Sequence, residues 1–206
     1  MLPSYRTISG RGEAEMVIQK SQFIGYALPV ETEEAALEFI QTIKKKHRDA
    51  THNVPAYIIG EQNEIQRFSD DGEPSGTAGI PILDVLKKEG LHNTVVVVTR
   101  YFGGIKLGTG GLVRAYTNAA KLALEAAKIV TRTLYQIVQV IIDYSLLGMM
   151  QNQLRIKNYV LKDTVYAEDV TLMVYVPISI VEQFQADCIE WTNSHCTIRL
   201  GENVYL

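Results

Sequence analysis

The sequence predicts an α+β protein with two domains, and three observations support this fold class. The first part of the chain alternates strand-like and helix-like segments, whereas the second part runs in the order βαββαβ. The change comes near Ile129–Arg132, with no flexible linker between the two patterns. With 206 residues the chain has room for two small domains, and we place them at 1–130 and 131–206.

The first domain is predicted to open with two strands within Gly12–Val30, joined by a turn at Lys20 and Ser21. A helix is predicted over Glu31–Asp49 because Thr32 can cap its start. Acidic residues fill the first turn of this segment and basic residues the last, as the helix dipole favours. Strands are predicted to follow at Pro55–Gly60 and Glu64–Ser69.

The rest of the first domain is predicted as loop, helix, strand and helix. A breaker-rich loop, Asp70–Pro81, precedes a short helix in which Pro81 occupies a permitted first-turn position and Gly90 forms the C-cap. The run Thr94–Phe102 is apolar and β-branched, which is typical of a strand buried on both faces. A long helix, Thr109–Lys128, ends the domain.

The second domain is predicted to have the ferredoxin-like βαββαβ arrangement. A turn at Glu168 and Asp169 separates its two middle strands, and Ser145 is the predicted cap of its first helix. The predicted elements are strands at Thr131–Tyr144, Tyr159–Ala167, Val170–Val176 and His195–Leu200, and helices at Ser145–Asn158 and Ser179–Asn193.

A glycine-rich segment, Arg100–Tyr116, lies between the buried strand and the long helix and holds five glycines within nine residues. Such a strand–turn–helix presents backbone N–H groups to an anion. It matches neither the phosphate loop, which needs a Lys where Thr109 stands, nor the dinucleotide fingerprint, which needs a Gly at Val113. The spacing leaves an anion site and a tight structural connection both open. The candidate anion-binding residues are Arg100, Gly103, Gly104, Lys106, Gly108, Thr109, Gly110, Gly111 and Arg114.

Two aromatic residues, Tyr101 and Phe102, precede these glycines. They are either residues on which bases stack or core residues at the end of a strand.

A second conspicuous stretch, Arg67–Pro81, puts three carboxylates within four residues, which raises the hypothesis of a metal or acid–base site. The spacing does not fit a calcium loop, and no histidine or nucleophile is near in sequence. These features favour a structural loop, and we expect no metal there.

Composition limits the classes of function. The net charge is −3, with fifteen basic and fifteen acidic residues up to Lys128 and five against eight from Ile129 onward. Because non-specific nucleic-acid binding needs a basic excess, any such contact must use a local patch. Cys188 and Cys196 are expected to be reduced thiols. No apolar stretch is long enough to span a membrane and no signal pattern is present, so a cytoplasmic protein without a membrane partner is expected.

Three stretches resemble the signature of the IMPACT family, which includes bacterial YigZ: "SDDGEPSGTAGIPIL", "VVVVTRYFGGIKLGTGGLVRAY" and "ATHNVPAY". The resemblance implies an N-terminal α/β sandwich similar to domain 2 of ribosomal protein S5. It also implies a C-terminal domain similar to the ferredoxin-like last domain of elongation factor G. The positions that match are His52, Asn53, Ala56, Tyr57, Ser69–Gly79 and Arg100–Gly111.

The resemblance implies a non-catalytic regulator associated with translation that binds RNA or the ribosome, with no catalytic residue and no cofactor. In this hypothesis the segment after Phe102 and the loop Asp70–Gly79 border one cleft. Two alternatives stay open: an enzyme acting on a phosphorylated small molecule, and a protein-interaction module whose acidic second domain binds a partner. The candidate cleft residues are His52, Asn53, Ser69, Asp70, Asp71, Gly72, Glu73, Pro74, Gly76, Thr77 and Gly79.

Overall fold

A computed structural model describes residues 1–206, and the chain forms two compact units. The first unit is Tyr5–Thr131, and the second is Arg132–Leu206 together with Met1–Ser4. The first four residues were predicted to belong to the N-terminal domain but lie in the second unit. The carbonyl of Pro3 accepts a hydrogen bond from Leu134 N, and that of Leu2 accepts one from the Tyr205 hydroxyl.

The first unit contains a five-stranded antiparallel sheet in the order β2-β3-β6-β4-β5. A short strand, β1 (Ser4–Ile8), was not predicted and lies outside this sheet. The helices and strands that were predicted for this unit are all present. Their bounds are β2 (Gly12–Ile18), β3 (Ser21–Pro29), α1 (Glu33–Lys46), β4 (His52–Ile59), β5 (Ile65–Phe68), α2 (Gly79–Lys88), β6 (Thr94–Tyr101) and α3 (Thr109–Ala127).

The central strand β6 is buried on both faces, as its uniformly apolar sequence predicts. Because side chains alternate along a strand, Val96 and Val98 pack with α2 and α3, while Val95 and Val97 pack with α1 on the other face. The predicted helix cap is also present, since the Thr32 hydroxyl oxygen accepts a hydrogen bond from Ala35 N at 3.2 Å.

Helix α3 lies unusually close to the sheet because glycines face it. A Cβ atom on Gly25 would lie 2.4 Å from the carbonyl oxygen of Ala119, and one on Gly12 would lie 2.2 Å from that of Ala123. Real Cβ atoms do not approach carbonyl oxygens this closely, so each site accepts only glycine without displacement of the helix. This close packing fixes α3 against the sheet and therefore fixes where the N-terminus of α3 lies.

The second unit has the predicted βαββαβ order, and the α+β class with two domains is confirmed. Strand β7 pairs with β9 and with β10, and β8 lies beyond β9. The N-cap of its first helical turn is Asp143 rather than Ser145, since the Asp143 carboxylate accepts a hydrogen bond from Ser145 N at 2.8 Å. The bounds are β7 (Ile129–Ile142), α4 (Leu147–Ile156), β8 (Val160–Tyr166), β9 (Val170–Pro177), α5 (Val181–Trp191) and β10 (Cys196–Tyr205).

The helices α4 and α5 cover one face of the second sheet, where Val138, Val140, Leu172 and Val174 are buried. No helix of the protein is both long enough and apolar enough to cross a bilayer.

Candidate functional site

A cavity of about 450 Å³ lies in the first unit where β4 begins, β6 ends and α3 begins. It is bordered by both segments that the sequence analysis singled out. The predicted site residues that line it are His52, Glu73, Pro74, Arg100, Lys106, Gly108 and Thr109. Thr51, Phe102, Leu107 and Leu112 complete the wall and were not among the predicted site residues.

The loop Asp70–Ala78 is held in shape by Asp70, which acts as an acceptor for backbone groups at the start of α2. Its carboxylate accepts hydrogen bonds from Gly76 N at 2.8 Å, Ala78 N at 3.1 Å and Gly79 N at 2.8 Å. Burial alone raises the pKa of Asp70, but these three donors outweigh it and hold the pKa below its usual range. Asp70 is therefore a structural residue of the loop.

We expect Asp70→Ala to lower the free energy of unfolding by about 2 kcal/mol at neutral pH, because the N–H groups at the start of α2 lose their charged acceptor. A depressed carboxyl pKa stabilises the fold above the pKa of the unfolded chain, and this stabilisation is lost as pH falls. The difference from wild type should therefore shrink below about pH 4. Urea unfolding across a pH series measures it. Asp84→Ala, an exposed change on the same helix, is the control, and equal losses in both variants would contradict the assignment.

The other predicted loop residues shape this loop without lining the cavity. Gly79 packs against the backbone of Ser69, where an added Cβ atom would lie 2.7 Å from the Ser69 carbonyl oxygen. The Thr77 hydroxyl donates to the Pro74 carbonyl at 2.7 Å, and the Ser69 hydroxyl accepts from Asp71 N at 3.1 Å. Backbone φ is positive at Gly72 and Gly76, at 90° and 76°.

Asp71 orients the histidine that lines the cavity. Its carboxylate pairs with Lys44 Nζ at 2.7 Å and accepts a hydrogen bond from Asn53 N at 2.7 Å. Its carbonyl oxygen lies 2.7 Å from His52 Nδ1. A carbonyl only accepts, so Nδ1 carries the proton of the ring, and in the neutral imidazole Nε2 is an acceptor.

A buried ion pair forms one wall of the cavity. Glu73 Oε1 accepts hydrogen bonds from Arg100 Nη1 at 2.6 Å and from the Tyr116 hydroxyl at 2.8 Å. The side chains of Glu73 and Arg100 are only 4% and 6% exposed, so both charges depend on each other for compensation. Burial raises the pKa of Tyr116 and the neighbouring Glu73 carboxylate raises it further, so this hydroxyl stays a donor.

These contacts change the roles that the sequence analysis considered. Arg100, a candidate phosphate-binding cation, is already neutralised by Glu73. The three carboxylates Asp70, Asp71 and Glu73 each have their own partners, and no group of three or more His, Cys, Asp or Glu side chains that could hold a metal ion occurs in the chain. The carboxylates that an enzyme would use as metal ligands are thus engaged elsewhere.

The glycines of Arg100–Tyr116 serve different purposes. Gly103 allows a close approach, since an added Cβ atom would lie 2.0 Å from the backbone carbonyl carbon of Lys20. Gly104 and Gly108 have positive φ, at 84° and 72°, a region that L side chains rarely adopt. Gly110 is different: an added Cβ atom would meet only Arg114 Nη1 at an ordinary 3.6 Å. The fold does not require glycine at 110, and its presence keeps the start of α3 bare.

The N-terminus of α3 is uncapped at the cavity. Its N-cap is Gly108, which has no side-chain acceptor, and the Leu112 N–H makes the bond to the Gly108 carbonyl. The N–H groups of the first helical residues therefore have no acceptor within the helix, and the helix dipole adds partial positive charge. Lys106 and Arg114 are exposed beside this turn. The arrangement is suited to an anion.

Phe102 is the residue that sequence reasoning left undecided. Its side chain is 46% exposed and lines the cavity, 5.4 Å from the Arg100 guanidinium measured to the ring centroid. The Tyr101 hydroxyl, by contrast, forms a hydrogen bond of 2.8 Å with His47 Nδ1, and the Tyr101 ring packs against the His47 ring. Of the two aromatics, Phe102 is the one that lines the cavity.

Two family models match the chain. The Impact N-terminal domain matches residues 19–124, and a domain of unknown function, DUF1949, matches residues 140–194. The first of these spans the whole cavity, and the second lies within the second unit.

Three individual proteins are also similar to this chain. The IMPACT family member YvyE of Bacillus subtilis is 49% identical over 206 residues, covering 100% of this chain and 95% of that protein. The IMPACT family member YigZ of Escherichia coli is 45% identical over 109 residues, covering 52% of this chain and 53% of that protein. A crystal structure described as that of a hypothetical protein is similar with a TM-score of 0.63 and 30% identity, over 98% of this chain and 99% of that one.

Proposed function

The chain belongs to the IMPACT family, and from this premise we propose that it is a non-catalytic cytoplasmic regulator associated with translation. In this proposal it binds RNA, free or within the ribosome, through the cavity between the loop Asp70–Ala78 and the start of α3. The main support for this proposal is that an uncapped helix N-terminus, an exposed lysine and an exposed aromatic ring lie at this one cavity.

Each of these three features has a counterpart in a nucleotide. A phosphate group fits the N–H groups at Gly108 and Thr109, and Lys106 adds a full positive charge beside them. A base can stack on the ring of Phe102, since every base has a π-face and stacking of this kind is tolerant of sequence. The combination favours single-stranded nucleic acid over a duplex.

The local charge also favours an anion, although the net charge of the chain is −3. Glu73 and Arg100 cancel each other, and Asp71 is paired with Lys44. Asp70 is directed to the backbone of α2. What remains at the start of α3 is Lys106, Arg114 and the positive end of the helix. A small basic patch of this kind matches the expectation that binding uses a local surface.

The proposal is tested with the double variant Lys106→Glu, Arg114→Glu. We expect its affinity for a fluorescein-labelled single-stranded RNA to fall about 100-fold, because two attractive charges become repulsive beside the phosphate. Fluorescence anisotropy measures the affinity, and co-sedimentation measures ribosome association. Circular dichroism melting checks that the fold is intact.

The matched control is Lys45→Glu, Lys87→Glu, which makes the same change of net charge at two exposed lysines on α1 and α2. If the control loses as much affinity as the cavity variant, binding follows overall charge and the proposed site is wrong. Wild-type affinity and ribosome association in the cavity variant would contradict the proposal directly.

The second candidate is an enzyme acting on a phosphorylated small molecule, and one observation favours it. The cavity volume of about 450 Å³ is in the range of small-molecule sites. The candidate ranks second because its proposed metal ligands or base are paired with backbone N–H groups, with Lys44 and with Arg100. These carboxylates are Asp70, Asp71 and Glu73. Competition of nucleoside monophosphates against labelled RNA in the same assay separates an oligonucleotide site from a site for a free small molecule.

A further inference from the structure

Two hydrogen-bond acceptors face each other in the wall of the cavity. His52 Nε2 and Glu73 Oε2 are 3.7 Å apart, which is longer than a hydrogen bond. His52 Nδ1 holds a ring proton against the Asp71 carbonyl, so in the neutral ring Nε2 presents a lone pair. At 3.7 Å neither atom is hydrogen-bonded directly to the other, and both residues line the cavity.

The carboxylate of Glu73 is unevenly satisfied. Oε1 accepts from Arg100 and from Tyr116, whereas Oε2 has no such donor, although the side chain is 4% exposed. Because Glu73 also lines the cavity, Oε2 can accept a hydrogen bond from a bound ligand.

The chemistry of a suitable ligand follows from the two acceptors, His52 Nε2 and Glu73 Oε2. It must donate hydrogen bonds, and it cannot be the phosphate itself, since a phosphate offers only acceptors to a carboxylate and is repelled by it. The phosphate position proposed above is at the start of α3, on the same cavity. A suitable ligand thus carries an anionic group and, next to it, a neutral hydroxyl donor.

We propose that the 2′-hydroxyl of a nucleotide whose phosphate lies at the start of α3 binds between His52 Nε2 and Glu73 Oε2 and donates its single hydrogen to one of these two atoms. The site is then selective for ribonucleotides over deoxyribonucleotides, because the 2′-hydroxyl is the donor that DNA lacks. This inference rests on the proposed function and specifies which nucleic acid the cavity takes.

The test compares oligouridine with oligodeoxyuridine of equal length, which differ only at the 2′ position. By fluorescence anisotropy we expect wild-type protein to bind the RNA about tenfold more tightly, since the DNA lacks the hydroxyl group that donates to these acceptors. Glu73 is left intact because its charge compensates Arg100, and the variants are made at His52.

Two variants of His52 distinguish the roles of its two ring nitrogens. In His52→Asn, the side-chain amide occupies the place of Nδ1 and keeps a donor for the Asp71 carbonyl, but nothing replaces Nε2. In His52→Gln, the amide reaches the place of Nε2 and retains an acceptor there. We expect the preference for RNA to fall to about onefold in His52→Asn, through loss of RNA affinity with unchanged DNA affinity, and to persist in part in His52→Gln.

The possible outcomes separate this inference from the proposed function. Equal wild-type affinity for the two oligomers, or a preference that His52→Asn leaves unchanged, overturns the inference and leaves the proposed RNA binding standing. Failure of wild-type protein to bind either oligomer overturns both. If His52→Asn does not fold, the comparison of His52→Gln with wild type still applies. An equal loss of RNA and DNA affinity in His52→Gln also counts against the inference.

Discussion

Glu73→Gln is expected to lower the free energy of unfolding by about 3 kcal/mol, the effect of leaving a buried arginine without its counter-charge. The variant keeps the size of the side chain and an oxygen that can accept hydrogen bonds. It removes the negative charge opposite Arg100, whose side chain is 6% exposed. Because this guanidinium cannot deprotonate, the fold must either bury an unpaired charge or open to hydrate it. Urea unfolding at neutral pH measures the loss.

Two further variants separate charge from hydrogen bonding. Tyr116→Phe removes one hydrogen bond to Glu73 and should cost about 1 kcal/mol. Glu73→Leu combined with Arg100→Met replaces both charges and should cost less than Glu73→Gln alone, since no charge remains buried without a partner. A loss in Glu73→Gln no larger than that in Tyr116→Phe would show that the ion pair does not support the wall of the cavity.

Gly103→Ala is the second variant for which a large effect is expected: we expect it to lower the free energy of unfolding by about 3 kcal/mol. The added methyl group would lie 2.0 Å from the carbonyl carbon of Lys20 and 2.4 Å from the backbone nitrogen of Ser21. Both contacts are with backbone, so relief requires movement of the turn between β2 and β3. That movement would also break the hydrogen bond from Gly103 N to the Ser21 hydroxyl, which is 3.1 Å long.

The matched control is Gly110→Ala, further along the same glycine-rich segment. Its methyl group has room, and helical φ at this position suits alanine, so stability should be unchanged or higher by up to about 1 kcal/mol. Thermal and urea unfolding of the two variants give the comparison. Similar stability of Gly103→Ala and wild type would mean that the glycine-rich segment does not need its contact with the turn after β2.

Much of the fold followed from local patterns. Alternation and turn residues located β2 and β3, Thr32 and the charge gradient located α1, and the β-branched run located β6. The strand β1 was not predicted, because a strand of five residues has too little periodicity to be recognised in the sequence. The same holds for the cap at Asp143, since neighbouring Asp and Ser residues are both good caps and the packed geometry selects between them.

Residues from both loops that stand out in the sequence line the cavity, but their individual contacts could not be predicted from it. Unusual glycine-rich strings marked two loops, and the structure brings His52, Glu73 and Lys106 to one cavity. The separate roles of the carboxylates could not be read from composition. Three acidic residues within four positions take separate partners: backbone N–H groups of α2, Lys44 on α1, and Arg100 on β6. Arg100 changed from a candidate ligand to a structural counter-ion for the same reason.

Residue order along the chain was therefore enough to specify the α+β class, most helices and strands, and the family, since each depends on neighbours within a few positions or on long distinctive strings. The chemistry of the cavity depended on the folded chain. Glu73 and Arg100 are 27 positions apart, and their pairing, the proton on His52 Nδ1 and the uncapped start of α3 arise from the spatial path of the backbone. Short-range patterns carry no record of such distances, because burial and partner geometry are set when the elements pack together.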